Sequence, residues 1–126
     1  MKKLFMILIF LSIFLAACSK EVTEEDLIGG TWEATAGFED GEEKGEPYCN
    51  PLEEGLEFKD EDTVYVNDLG QDFDYWIKEE EGKDVIKFYH SKRYLRYYIF
   101  KISDDEMGIT RKGTFQEDAS CFLERK

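Results

Sequence analysis

Short runs in which apolar and polar residues alternate fill the chain after Gly30, and they constrain its fold more than any other feature. The first run reads WEATAGF from Trp32 onward, so that every second residue is apolar. Successive side chains of a β-strand point to opposite faces, and a period of two therefore predicts a half-buried strand. No helical period is sustained in this part of the sequence, so we expect strands throughout.

About eight runs of this kind follow one another at intervals of roughly 8–12 residues, with polar turns between them. They begin at Trp32, Leu56, Thr63, Phe73, Ile86, Tyr94, Met107 and Thr114. This spacing is typical of an antiparallel sandwich or barrel, and short connections favour an up-and-down order that closes to remove its edges. We therefore predict an all-β fold, a small antiparallel up-and-down β-barrel of about eight strands, formed by residues 27–126.

The N-terminal segment has a different character. Met1-Lys2-Lys3 is charged and Leu4–Ala17 is almost wholly apolar, but this run is shorter than the roughly 20 residues of a membrane-spanning helix. It has the length and the flanks of a secretory signal. It ends in Leu15-Ala16-Ala17-Cys18, which resembles the lipobox of bacterial lipoproteins. The alternatives are an ordinary signal with a chance cysteine and an uncleaved anchor.

The lipobox resemblance implies cleavage just before Cys18, which then carries a diacylglycerol and further acyl chains such as palmitate. Several acyl chains on one residue hold a protein durably at a membrane, whereas a single chain is marginal. Residues 1–17 are then a lipoprotein signal peptide and residues 18–26 a lipidated tether. The expected location is extracytoplasmic, on the cell membrane or the outer membrane of a bacterium.

The mature chain is strongly acidic. Removal of Lys2 and Lys3 leaves 14 of the 16 basic residues against 29 acidic residues, a net charge of about −15. Such a surface repels nucleic acid and anionic lipid head groups. We therefore expect a soluble, monomeric body on a tether and no nucleic-acid partner. Within the tether, Thr23–Asp26 has the hydroxyl-to-carboxylate spacing of a helix start, and Gly29-Gly30 ends that helix after one turn.

Export also changes the interpretation of the two cysteines that remain after Cys18. Cys49 and Cys121 form an even pair in a compartment that often permits disulfides. We predict a disulfide between them, and two buried thiols are the alternative if the host lacks oxidising machinery.

Three features give the chain a resemblance to the lipocalin superfamily, in particular to compact lipocalin-like domains of bacterial lipoproteins. They are Gly30-Thr31-Trp32 at the head of the first strand, the aromatic-apolar run Tyr98–Ile109 with its acidic turn, and the lipobox. The resemblance implies a barrel that Trp32 closes at one end, with an arginine over the indole. Arg111 and Arg125 are the candidates for that arginine. Trp32 as one core residue of another β fold is the alternative.

The run from Arg93 to Tyr98 suggests a ligand site. If Tyr98 faces the barrel interior, a period of two also places Tyr94 and Arg96 inside, and a buried arginine needs an anion. Related fatty-acid carriers hold a carboxylate with an Arg-x-Tyr pair inside a small barrel. We therefore predict that Arg96 and Tyr98 orient a small hydrophobic or carboxylate ligand. Tyr94, Phe88 and Trp32 complete the predicted ligand-binding set. Pairing of Arg96 with an acid near the rim is the alternative.

The sequence argues against an enzyme. His90 is the only histidine, which leaves no histidine pair for a metal or a proton relay, and no serine lies in a G-x-S-x-G turn. Most acidic residues fall in predicted turns, where exposure to water explains their presence without a catalytic role. We expect no catalytic residue, no metal and no cofactor.

Two classes of function remain beside a structural role at the cell surface. The first is a tethered barrel that binds a small apolar or amphipathic ligand. The second is a protein-binding module, because small acidic barrel lipoproteins with one disulfide also resemble inhibitors of lysozyme, a cationic enzyme. In that case the loop Glu39–Glu54, held by Cys49, is the candidate binding segment.

Overall fold

The computed structural model of the protein describes residues 21–113 and 117–126. The predicted signal peptide, the lipobox with Cys18 and the first residues of the tether lie outside the described residues, and they remain predictions. Within the described ranges, no helix is long and apolar enough to cross a bilayer.

The described residues form one short helix and ten strands. They are α1 (Glu24–Leu27), β1 (Trp32–Ala36), β2 (Phe38–Glu39), β3 (Glu42–Glu43), β4 (Leu56–Phe58), β5 (Thr63–Val66), β6 (Gln71–Glu80), β7 (Lys83–His90), β8 (Arg93–Ser103), β9 (Glu106–Arg111) and β10 (Ala119–Arg125). Eight of the strands close an antiparallel barrel in the order β1-β10-β9-β8-β7-β6-β5-β4, and β2 pairs only with β3. The predicted all-β, up-and-down barrel of eight strands is confirmed.

Aromatic side chains fill much of the barrel interior. Tyr75 on β6 lies opposite Phe88 on β7, and both are buried. Phe58 packs edge-on against Tyr75, with ring centroids 4.9 Å apart, and Phe73 is also fully buried. The interior of an eight-stranded barrel is just wide enough for side chains to fill it. This part of the interior is therefore a packed core.

The face of β8 that points into the barrel is the opposite of the expected one. Its buried side chains are Leu95, Tyr97 and Ile99. The residues with the other parity, which were expected inside, face outward: Tyr94, Arg96, Tyr98 and Phe100. The predicted interior position of Arg96, Tyr98 and Tyr94 is therefore wrong.

The cross-strand register explains this correction. Both parities of β8 are rich in aromatic and apolar residues, so alternation within the strand does not distinguish its two faces. Leu95 pairs with Phe88, and Tyr97 pairs with Ile86. Directly paired residues of neighbouring strands share a face of the sheet. The inward face of β7 thus fixes the inward face of β8.

The connection between β1 and β4 is more ordered than a loop. It begins with the β2–β3 hairpin, whose turn residues Asp40 and Gly41 have φ angles of 53° and 81°. It continues to Cys49, which forms the predicted disulfide with Cys121 at a Cα separation of 5.9 Å. The backbone of Tyr48 exchanges two hydrogen bonds with Ser120, at 3.0 and 2.7 Å. The connection is therefore attached to β10 at two neighbouring positions.

Candidate functional site

The end of the barrel next to α1 is closed by Trp32. Its indole is only 1% exposed, and its Nε1–H donates a hydrogen bond of 2.9 Å to the Leu27 carbonyl. The guanidinium of Arg125 lies over the ring, 4.5 Å from its centroid. A cation at this distance over the face of an indole is attracted by the ring quadrupole. Arg125, and not Arg111, is therefore the arginine that covers Trp32.

Arg125 also binds the backbone that crosses this end. Its Nη1 donates to the carbonyl of Ile28 at 2.8 Å, and its Nη2 donates to the carbonyl of Asp26 at 2.6 Å. Its Nε lies 3.3 Å from a carboxylate oxygen of Asp105. These carbonyls belong to α1 and the turn after it, so one side chain connects the last strand with the N-terminal segment. Trp32 is covered on this side and lies away from any open surface for a ligand.

Asp26 in α1 also stabilises the closed end. Its carboxylate accepts a hydrogen bond of 3.0 Å from the Thr23 backbone N–H and lies 3.1 Å from Lys101 Nζ. Burial acts to raise the pKa of Asp26, but the hydrogen bonds from Thr23 and Lys101 and the charge of Lys101 outweigh it and lower that pKa below its ordinary value. The ionised carboxylate therefore favours the folded state.

Asp26→Asn should lower the free energy of unfolding at pH 7 by about 1 kcal/mol, a typical value for a helix cap with a partly buried ion pair. A lowered pKa in the folded state gives stability that is present above the ordinary aspartate pKa and is lost as the pH falls through the folded value. The difference between wild type and variant should therefore shrink below about pH 4. Urea unfolding at pH 7 and pH 3 measures it, and an equal difference at both values would contradict the assignment.

The outer face of β8 carries a small charged cluster at Arg96. Arg96 lies 3.3 Å from Glu80, and Lys87 lies 3.4 Å from the same carboxylate. The Arg96 guanidinium is also 5.1 Å from the centroid of the Tyr98 ring. The alternative interpretation of Arg96, in which it pairs with an acid of the protein, agrees with this geometry.

A groove of about 580 Å³ lies outside the barrel, between the β2–β3 hairpin and the wall formed by β8, β9 and β10. Its lining includes Phe38, Asp40, Tyr48, Tyr98, Phe100 and Arg111. The rings of Phe38 and Phe100 are tilted against each other, with centroids 5.6 Å apart. The groove therefore has an aromatic floor beside charged and hydroxyl groups.

The absence of a side chain at Gly108 allows this groove to form. A Cβ atom at Gly108 would lie 2.6 Å from three ring carbons of Phe38, which is closer than real Cβ contacts. The ring of Phe38 thus lies directly on the backbone of β9, with Phe100 of β8 beside it. The Phe38 backbone N–H donates to Ser120 Oγ at 2.9 Å, and the Ser120 hydroxyl donates to the Phe38 carbonyl. These contacts hold the hairpin against the barrel wall.

The groove is polar at the end where β9 stops and β10 begins. Arg111, Lys112 and Asp118 line it there. Tyr48, an exposed residue of the lining, donates a hydrogen bond of 3.3 Å to Glu117. An apolar floor that leads to charged groups suits a ligand with an apolar body and a polar end.

The predicted ligand-binding residues are not brought together. Tyr98 lines the groove. Arg96 and Tyr94 lie elsewhere on the outer surface, Phe88 packs in the core with its ring centroid 5.9 Å from that of Tyr97, and Trp32 closes the far end. Sequence reasoning missed Phe38 and Phe100 as groove residues. A phenylalanine that directly follows Gly37, at the point where the first strand ends, was the available signal for Phe38.

One group of potential metal ligands lies among the described residues, formed by Cys49, Glu53 and Cys121. Both sulfurs are bonded to each other in the disulfide, and the Glu53 carboxylate accepts a hydrogen bond of 2.7 Å from the Cys49 backbone N–H. Thiolates are the species that bind metals, so an intact disulfide removes two of the three ligands. This group stabilises the connection between β3 and β4.

Comparisons of the chain with protein-family models, with curated proteins and with solved structures found no match. The functional interpretation therefore depends on the geometry of the barrel and its groove.

Proposed function

We propose that this protein is an extracytoplasmic lipoprotein, anchored to a bacterial membrane through Cys18, whose barrel binds one small apolar or amphipathic ligand in the outer groove. The observation that carries the proposal is the aromatic-lined groove of about 580 Å³. Pockets for small ligands have volumes of about 300–1,000 Å³, with mostly apolar walls and a few polar groups. A lipid anchor, a monomeric state and the absence of a nucleic-acid partner belong to the same proposal.

The groove supports ligand binding better than the barrel interior does. Inside the barrel, Phe58, Phe73 and Phe88 are each 1% exposed and pack with other side chains. A ligand there would have to displace well-packed rings, which costs the contacts that they make with one another. In the groove, by contrast, Phe100 is 39% exposed and already faces the open space. Binding there covers apolar surface without disturbing the core.

The orientation of the barrel is consistent with a tether. Helix α1 meets the barrel at the end that Trp32 and Arg125 close, whereas Arg111 and Ala119 line the groove near the opposite ends of their strands. A membrane anchor attached before α1 would leave the polar end of the groove accessible. The lipid and the ligand would then act at separate parts of the molecule.

A matched pair of exposed aromatic residues tests the groove. Phe100 and Trp76 both lie on the outer face of the barrel, 39% and 41% exposed, but only Phe100 is among the groove residues. N-phenyl-1-naphthylamine, a neutral apolar dye that brightens in apolar surroundings, should bind saturably to the wild-type protein. Phe100→Ala should weaken its binding about tenfold, since loss of a partly buried aromatic contact costs about 1.4 kcal/mol. Trp76→Ala should leave the affinity within twofold.

Two results of this titration would count against the proposal. The first is fluorescence that rises without saturation, because a single groove has a limited capacity. The second is an equal loss of affinity in both variants, because that would locate the dye on the outer surface in general. Retention of a small molecule by protein purified from its host, seen by native mass spectrometry, would support the proposal independently.

The acidic β2–β3 hairpin favours a second candidate function. Asp40, Glu42 and Glu43 are exposed on it, and the disulfide at Cys49 attaches the following segment to the barrel. An acidic hairpin of this kind would present negative charge to the cleft of a cationic enzyme such as lysozyme, where opposite charges favour association. Inhibition of a cationic lysozyme by the protein, with loss of inhibition after deletion of Glu42–Glu46, would favour this candidate over the groove.

A further inference from the structure

Arg111 is the one charged residue among the described residues that is buried, with 9% of its surface exposed. It is the last residue of β9, on the same inward parity as Ile109. Its Nε donates a hydrogen bond of 2.7 Å to the carbonyl of Glu117. Its Nη1 has no hydrogen-bond partner. Among the described residues, no carboxylate forms an ion pair with it, so its positive charge is buried without a counter-charge.

Tyr97 on β8 is the second buried group without a partner at this place. It is 0% exposed, and its hydroxyl has no hydrogen-bond partner of good geometry, although the Arg111 guanidinium lies close enough to act on its pKa. Tyr98 pairs with Thr110, so Tyr97 and Arg111 occupy the next cross-strand position of the same two strands. The guanidinium lies over the face of the Tyr97 ring, 4.5 Å from the centroid. The phenol and the guanidinium are therefore neighbours, and neither the hydroxyl nor Nη1 has a hydrogen-bond acceptor.

These two groups define the chemistry of what would bind them. Burial raises the pKa of Tyr97, and the nearby guanidinium of Arg111 and the charge of Arg93 oppose this effect without cancelling it, so the phenol is protonated at neutral pH and can donate. Nη1 is also a donor. Two neighbouring donors, one of them charged, suit a group with two acceptor oxygens and a negative charge. A water molecule could accept from one donor, but it would leave the buried charge uncompensated.

The position of Arg111 connects this pair to the groove, because Arg111 is also one of the groove residues. We propose that Arg111 and Tyr97 bind the carboxylate head group of an amphipathic acid whose apolar body lies in the groove against Phe38 and Phe100. The proposal rests on the proposed function of the groove and specifies its ligand class. It differs from the Arg-x-Tyr pair of β8, because Arg96 faces outward and is already paired with Glu80.

Decanoate and 1-decanol form a matched pair of probes, since they share an apolar chain and differ in head-group charge. Each is titrated as a competitor of N-phenyl-1-naphthylamine at pH 7.5, where decanoate is ionised. Decanoate should compete at least tenfold more strongly than 1-decanol with the wild-type protein. Arg111→Met and Tyr97→Phe should each reduce this preference to less than threefold. Arg96→Met, which removes a half-buried arginine outside the pair, should leave it unchanged.

Tyr97→Phe keeps the test decisive even if Arg111→Met does not fold. It removes only a hydroxyl that has no partner, so without ligand the urea midpoint should be unchanged or slightly higher. A clear fall of that midpoint would show that the hydroxyl has a structural partner, and the proposal would then be wrong.

The other outcomes separate the ligand class from the groove itself. Equal competition by decanoate and 1-decanol would overturn the carboxylate assignment while the groove still bound an apolar ligand. Competition by acetate or inorganic phosphate as strong as that by decanoate would also overturn it, because the anion would then bind without an apolar body. Absence of saturable dye binding would remove the proposed function together with the inference.

Discussion

Trp32→Ala should lower the free energy of unfolding by about 3–5 kcal/mol, the usual range for truncation of a buried tryptophan. The indole is 1% exposed and forms part of the hydrophobic core at the closed end of the barrel. Its removal leaves a cavity, breaks the hydrogen bond to the Leu27 carbonyl and removes the ring under the Arg125 guanidinium. Three contributions to stability are therefore lost together.

Urea unfolding followed by circular dichroism measures this effect, with Trp76→Ala as the control. Trp76 is 41% exposed on the outer face of β6, and surface substitutions usually change stability by less than about 0.5 kcal/mol. The large difference expected between two changes of the same residue type would result from burial. Similar midpoints for the two variants would mean that Trp32 does not close the barrel.

The eight-stranded barrel could be predicted from the sequence because alternation is a local property. A strand such as β6 carries buried Phe73 and Tyr75 on one parity and charged Asp72 and Asp74 on the other, so its register is determined by its own residues. The disulfide could be predicted for a different reason, because only two cysteines remained to pair after Cys18.

The inward face of β8 could not be predicted in this way. Leu95 and Tyr97 have one parity, and Tyr94 and Tyr98 have the other, so both faces are apolar enough to be buried. Phe38 covers part of the outward aromatic face across Gly108. That contact joins residues about 70 positions apart, and no local pattern in the sequence indicates it.

The candidate site depends on the same long-range packing. Arg111 and Tyr97 meet only when β8 and β9 pair in the observed register, and Phe38 lines the groove from the separate strand β2, which follows the end of β1 at Ala36. Reasoning from the sequence placed Arg96 and Tyr98 inside the barrel, but the residues of that parity in β8 face outward. The structure shows that Arg111 is the buried arginine and that Arg96 is not. Arg111 is therefore the residue that needs an anion.

Loss of the disulfide should have an effect of similar size. Cys49 and Cys121 are 72 residues apart, and chain-entropy arguments assign about 4 kcal/mol to a cross-link that closes a loop of this length. Both cysteines are buried, and Leu52, whose backbone N–H donates to the Cys49 carbonyl, is also part of the core, so the change acts on packed structure as well as on the unfolded chain. For a domain of about 100 residues this is a large share of a typical stability of 5–15 kcal/mol.

The double variant Cys49→Ser, Cys121→Ser should unfold at a much lower urea concentration than the wild type, and reduction of the wild type should lower its midpoint in the same way. Reductant should leave the midpoint of the double variant unchanged, which serves as the control. The change should also weaken dye binding, because Tyr48 lines the groove and directly precedes Cys49. A wild-type midpoint that is the same with and without reductant, after complete reduction has been verified by mass spectrometry, would show that the cross-link does not stabilise the barrel.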